Sequence, residues 1–145
     1  MGVKDFFTDI QQRSILKAIE SAELNTSGEI RVHLESKCKI EPKERAIEVF
    51  EELKMNETAL HNGVLFYLAV DDKKFAIIGD KGINEQVGDQ FWDEVKELML
   101  FEFKREQFSV GLCQGIEMAG FKLKAHFPHQ LDDVNELTND ISFEE

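Results

Sequence analysis

The chain has little cysteine, little proline, too few cations to balance its acids and no long apolar run, and each shortage excludes something. Its two cysteines, Cys38 and Cys113, stand far apart in 145 residues. A disulfide scaffold, or a thiolate zinc or redox pair, needs more sulfur at shorter spacing, so both are expected to be reduced structural thiols in a reducing compartment. Lys and Arg total 17 against 29 Asp and Glu, a formal charge of -12. That excess repels phosphate backbones and anionic leaflets, which removes nucleic acid from the expected partners. No stretch reaches the roughly 20 apolar residues of a membrane span. The first residues, Met1 to Phe7, hold no apolar run long enough for a secretory signal before Thr8 and Asp9. Phe6 occupies the position where the myristoylation pattern after Gly2 needs Ser or Thr. The expectation is a cytoplasmic protein with neither leader nor lipid anchor. With two prolines and nine glycines, no low-complexity linker or repeat interrupts the chain.

What is present is enough for one core. At this length a single domain buries roughly 70% of its unfolded surface and needs no disulfide or obligatory partner. The acid is unevenly spread: after Leu131 come Asp132, Asp133, Glu136, Asp140, Glu144 and Glu145 with no Lys or Arg. Residues 1–127 therefore read as one domain and 128–145 as an acidic tail. In that tail Leu131, Val134, Leu137, Ile141 and Phe143 are spaced for one weak amphipathic turn or helix.

Helix and strand signals alternate. Thr8 with Gln11 three residues on is a capping box, and Ile15, Ala18, Ile19 and Ala22 then share a face, which predicts a helix over about 8–23. Glu29 to Glu35 alternates polar and apolar side chains, as a half-covered strand does, with Ile30, Val32 and Leu34 inward. Pro42 opens a second helix with Ala46, Val49, Phe50 and Leu53 on its stripe, ending near Lys54. Val64 to Val70 is apolar throughout and predicts a central strand covered on both faces. The short polar turn at Asp71 to Lys74 forces the next run, Phe75 to Ile78, to return antiparallel. Beyond a Gly79 loop, Val87, Phe91, Val95 and Leu98 predict a long helix, and Leu112, Ile116, Ala119 and Leu123 another. Gly111, Gly115 and Gly120 each cost about 1 kcal/mol in a helix, so they mark close backbone approach to a neighbour.

Ser27-Gly28-Glu29-Ile30-Arg31-Val32, then Asn62-Gly63-Val64-Leu65 running into Val70-Asp71-Asp72-Lys73, then Gly79 to Ile83 and Asp89, resemble the successive motifs of the TPM domain family. The resemblance spans roughly residues 8–127. It implies an α/β fold, a three-layer α/β/α sandwich with a small mixed sheet of three to four strands, about four helices and two loops that cross near the sheet edge. It also implies divalent cations, often calcium, bound where those loops meet, and for some relatives an acid phosphatase activity. The chain departs from the commoner pattern in reading His61-Asn62-Gly63 before the central strand and Asp72-Lys73 after it, and in placing Asn84 where the family carries Glu.

The expected ligands follow from the residues in those loops. Asp80 sits between Gly79 and Gly82, whose freedom lets its carboxylate fold back over the strand end. Asp89 matches the family Asp, and Asp93 lies four residues on, so on one helix the two carboxylates would repel unless a cation sat between them. Glu57 is the only carboxylate of the other loop, 55–62, and Asn84 and His61 complete the candidate set. Asp71 and Asp72 read as turn formers at the opposite end of the central strand, and Glu29 either takes part in the site or is an outward strand residue, which explains it equally well. Carboxylate and amide oxygens favour calcium, with magnesium as an alternative; His61 admits zinc.

Two functions are expected on this basis: a divalent-metal-binding regulatory or interaction module whose loops the ion staples, or a metal-dependent phosphatase acting on phosphomonoesters. The second needs cations for the phosphoryl oxygens, and the loops offer Lys81 and no Arg. A protein partner docking the acidic tail is the remaining expectation.

Overall fold

A computed structural model describes residues 2–88, 90–130 and 136–145. The capping box forms as read: Gln11 N donates to Thr8 Oγ1 at 3.1 Å and Thr8 N to Gln11 Oε1 at 3.0 Å. It starts α1 (Asp9–Glu23), followed by β1 (Glu29–Glu35), α2 (Pro42–Glu52), β2 (Gly63–Ala69) and β3 (Lys74–Gly79). A single turn of helix, α3 (Lys81–Asn84), leads to α4 (Asp93–Lys104), α5 (Phe108–Leu123) and a three-residue strand, β4 (Ser142–Glu144).

These make a mixed four-stranded sheet in the order β3-β2-β1-β4, with five helices around it among the described residues. β1 runs parallel to β2 and to β4, and β2 and β3 form the expected antiparallel hairpin. Side chains alternate across a strand, so the sheet feeds two cores. Ile30, Val32, Leu34, Val64 and Phe66 meet α1, α4 and α5 on one face. Leu65, Tyr67, Ala76 and Ile78 meet Ala46, Val49 and Phe50 of α2 on the other. This is the three-layer α/β fold that the resemblance implies. No helix of the described residues is long and apolar enough to cross a membrane.

The glycines of α5 are packing residues. A Cβ on Gly120 would stand 2.7 Å from Ala22 Cβ, and one on Gly115 2.6 Å from Met99 Cγ, so α5 can lie this close to α1 and α4 only without those side chains.

Three expectations need correction. The long helix expected from Val87 is broken: α3 ends at Asn84 and α4 begins at Asp93, while Val87 and Phe91 pack on the core from the connecting turn. The tail does not form a helix at its end; Ser142–Glu144 pairs in parallel with His33–Glu35 and extends the sheet. Residues 131–135 of the tail lie outside the described residues. And β1 is not half-covered. Glu29, His33 and Glu35 are buried, because α2 and the returning tail close over the face that alternation had assigned to solvent.

Candidate metal centre

The sheet brings the two loops of interest side by side. β2 starts where β3 ends, and Asp80 N donates to Gly63 O at 2.9 Å, so the residues flanking Asn62 and Asp80 are neighbours although 18 positions apart. The loops then touch through backbone. Gly82 N donates to His61 O at 2.9 Å, and any Cβ at Gly82 would stand 2.5 Å from that same carbonyl oxygen. His61 itself adopts φ 49°, an uncommon region for a residue with a side chain and one held where the surroundings over-determine it.

Asp80 and His61 are the two sequence-predicted ligands that this contact brings together. Asp80 is 9% exposed. Its Oδ1 accepts from Lys81 N at 2.8 Å, capping α3. Its Oδ2 has no hydrogen-bond partner and lies 3.5 Å from His61 Nδ1, which has none either. Thr58 Oγ1, in the same loop as His61, is likewise buried and unpartnered. Buried polar atoms are nearly always satisfied, and a desolvated carboxylate oxygen without a donor is costly. A cation bound between carboxylate and imidazole would satisfy both atoms, which is the fit these two residues offer.

The remaining candidates are dispersed. Asn84 lines the same cavity as Asp80, with its amide donating to Gly79 O at 3.1 Å. Glu57 is exposed and faces another groove, with Arg31, Lys54 and Glu136. Asp93 is the exposed first residue of α4. Asp89 lies outside the described residues. Glu29 is turned inward and accepts from Leu137 N at 2.8 Å, which ties the tail to β1.

A second constellation went unread in the sequence. His33, Glu35 and Glu144 offer ligand atoms that all lie within 4.8 Å of one another. Arg45, on α2, reaches into the group: Nε and Nη2 donate to the two oxygens of Glu35 at 2.9 and 3.0 Å, and Nη2 also to Glu144 at 2.7 Å. Tyr67 OH donates to Glu35 Oε2, and His33 Nε2 meets Oε1 at 3.1 Å. With its proton on Nε2, His33 is free to accept at Nδ1 from Ser142 Oγ, 2.9 Å away.

The titration behaviour agrees with this arrangement. Burial pushes the Glu35 carboxyl up, but donors from Arg45, Tyr67 and His33 outweigh it and hold the group below its ordinary value. His33 is held below its ordinary value by burial, against the pull of Glu35. Arg45 is raised, first by its hydrogen bonds to Glu35. Glu35 is thus a carboxylate already saturated with donors, and the guanidinium stands where an ion would have to stand. The triad could receive a metal only by displacing Arg45. Its legible signals were Arg45 one helix away and the only tyrosine of the chain, whose position opposite His33 needs the strand register.

A model of the TPM domain family matches residues 3–120. No curated protein matches the chain. Among solved structures, the NMR structure of the BA42 protein from the psychrophilic bacterium Bizionia argentinensis is 49% identical, covers 98% of each chain and superposes with a TM-score of 0.92. The N-terminal domain of a protein from P. gingivalis is 15% identical over 87% of this chain and 82% of its own, at a TM-score of 0.71. The N-terminal domain of a Corynebacterium glutamicum protein is 13% identical over 97% and 81%, at 0.65. The last two share the fold.

Proposed function

The chain belongs to the TPM domain family, and from that premise we propose that it is a divalent-cation-binding module whose ion joins the 55–62 and 79–89 loops. The observation that carries this reading is the pair of buried, unpartnered atoms, Asp80 Oδ2 and His61 Nδ1, 3.5 Å apart at the point where Gly82 and His61 touch. Asp80 and His61 are the ligands from this chain, and Asn84, which lines a cavity with Asp80, is the next candidate. Calcium is the first candidate on the oxygen content of the loops, magnesium the second, and zinc the ion that the imidazole would favour. The role of such an ion here is to fix one arrangement of two loops and so the surface they present.

The phosphatase alternative has weaker support. Phosphoryl transfer needs cations on the developing charge and an aimed nucleophile. The cavity beside Asp80 supplies lysines, but no arginine, serine or cysteine among its described residues. Amide relaxation by nuclear magnetic resonance tests the module reading. Removing divalent ions with a chelator should loosen residues 55–62 and 79–84 and leave β2 unchanged; loops equally ordered in both states contradict it.

A further inference from the structure

The open edge of β3 plays no part in holding a cation. β3 pairs with β2 on one side and with no strand on the other among the described residues. The bond from Asp80 N to Gly63 O fixes the alternation: Ala76 and Ile78 turn their backbone groups toward β2, and Phe75, Ile77 and Gly79 turn theirs away. Gly79 O is taken by the Asn84 amide. The N–H and C=O of Phe75 and Ile77 find no partner among the described residues.

This edge borders a groove of about 440 Å³ between α2 and the α3–α4 side of the molecule. Ile77 and Ile78 line it from the strand, Lys43 and Ile47 from α2, Lys81 from α3, and Trp92 and Lys96 from the start of α4. The three lysines form no ion pair among the described residues. The carboxylates in the lining are Glu51 and Asp80, and Asp80 turns its free oxygen to His61. Three unpaired ammonium groups around one groove run against a chain of charge -12.

We propose that this groove binds an extended acidic peptide of a partner protein, which adds to β3 as a fifth strand. Unpaired backbone groups recognise another backbone, and period-two side chains would place one row against Ile47 and Trp92 and carboxylates within reach of Lys43, Lys81 and Lys96. Lysines also guard sheet edges against self-association. Lys74 opens β3 as such a guard, but Phe75 to Gly79 carries no charge, and the lysines that rim the groove come from the flanking helices. The strand presents an uncharged slot with a basic rim. The groove shares Asp80 and Asn84 with the proposed cation site, but the unpaired edge and the lysine rim exist whichever ion Asp80 holds.

The test is selection of a linear peptide display library on the immobilised full chain, followed by titration of the enriched peptides into labelled protein. The expected result is enrichment of sequences alternating apolar and acidic residues. Their binding should slow hydrogen exchange at the Phe75 and Ile77 amides and leave the already paired Ala76 and Ile78 amides unchanged. It should weaken about tenfold in a Lys43→Glu, Lys96→Glu variant whose amide spectrum still reports the native fold. Three results overturn the proposal: no acid-rich sequence is enriched, binding persists unweakened in that variant, or the perturbed amides lie off β3. A chelator arm separates the two readings, since peptide binding at the edge is expected with or without divalent ions.

Discussion

Arg45 clasps Glu35 by two parallel contacts, Nε to Oε2 at 2.9 Å and Nη2 to Oε1 at 3.0 Å, across the space between α2 and the end of β1. Glu35 is 3% exposed, so the pair is desolvated on the carboxylate side. Through Nη2 the same guanidinium holds Glu144, and His33 holds Ser142, so one cation fixes α2, β1 and the returning tail. Removing one partner from a buried pair leaves a charge without its counterion, which costs about 3–5 kcal/mol. Arg45→Ala should lower the unfolding free energy by that order. Denaturant titration of Arg45→Ala beside an Arg45→Met, Glu35→Leu double variant checks it: the double variant recovers much of the loss if the unpaired Glu35 is its source.

Glu23 predicts a loss of stability toward neutral pH. Burial, with the charges of Glu29 and Glu20, raises it from its ordinary 4.5 to about 7 against hydrogen bonds from Ile30 N and the Asn139 side chain. A raised carboxyl keeps its proton in the folded state while the unfolded chain has already lost it. Its contribution is therefore complete below 4.5 and lost as pH rises to about 7. Thermal melts should fall across that window, and Glu23→Gln, whose amide oxygen can still accept from Ile30 N, should flatten the fall. Equal slopes in both proteins contradict the assignment. His33, held below its ordinary 6.5, opposes this fall within the same window, since it withdraws stability as the pH drops below 6.5, and Glu35, held below its ordinary 4.5, withdraws stability at lower pH.

Gly120→Ala places a methyl group 2.7 Å from Ala22 Cβ and 2.8 Å from Ala22 Cα. The backbone of α1 cannot move aside as a flexible side chain would. Overpacking of this kind costs about 1–3 kcal/mol, enough to cancel the roughly 1 kcal/mol of helix propensity that alanine brings. Chemical denaturation should show a net destabilisation, and an unchanged or raised midpoint would mean that α1 and α5 are less tightly apposed.

Elements built on local rules were legible in the sequence; features that depend on distant residues were not. The Thr8–Gln11 box, the stripe of Ile15 to Ala22, the apolar run from Val64 and the tight turn at Asp71 to Lys74 each carry their own signal, and each formed as expected. The outward assignment of Glu29, His33 and Glu35 failed because alternation says which residues share a face but not what covers it. Arg45, Tyr67 and the tail cover that face, and nothing local links 35 to 144. The same limit applies to the candidate site. Asp80 and His61 could be named from loop chemistry, but their proximity comes from strand register and from the Gly82 contact.

The most direct measurement is calorimetric titration of chelator-stripped protein with calcium, magnesium and zinc, repeated on Asp80→Asn and His61→Ala. The account predicts saturable heat for at least one ion in the unaltered chain and an affinity lower by about 10- to 100-fold in Asp80→Asn, with Arg45→Ala binding as the unaltered chain does. Heat that is absent for all three ions, or that survives both loop substitutions and changes only with Arg45, would contradict it.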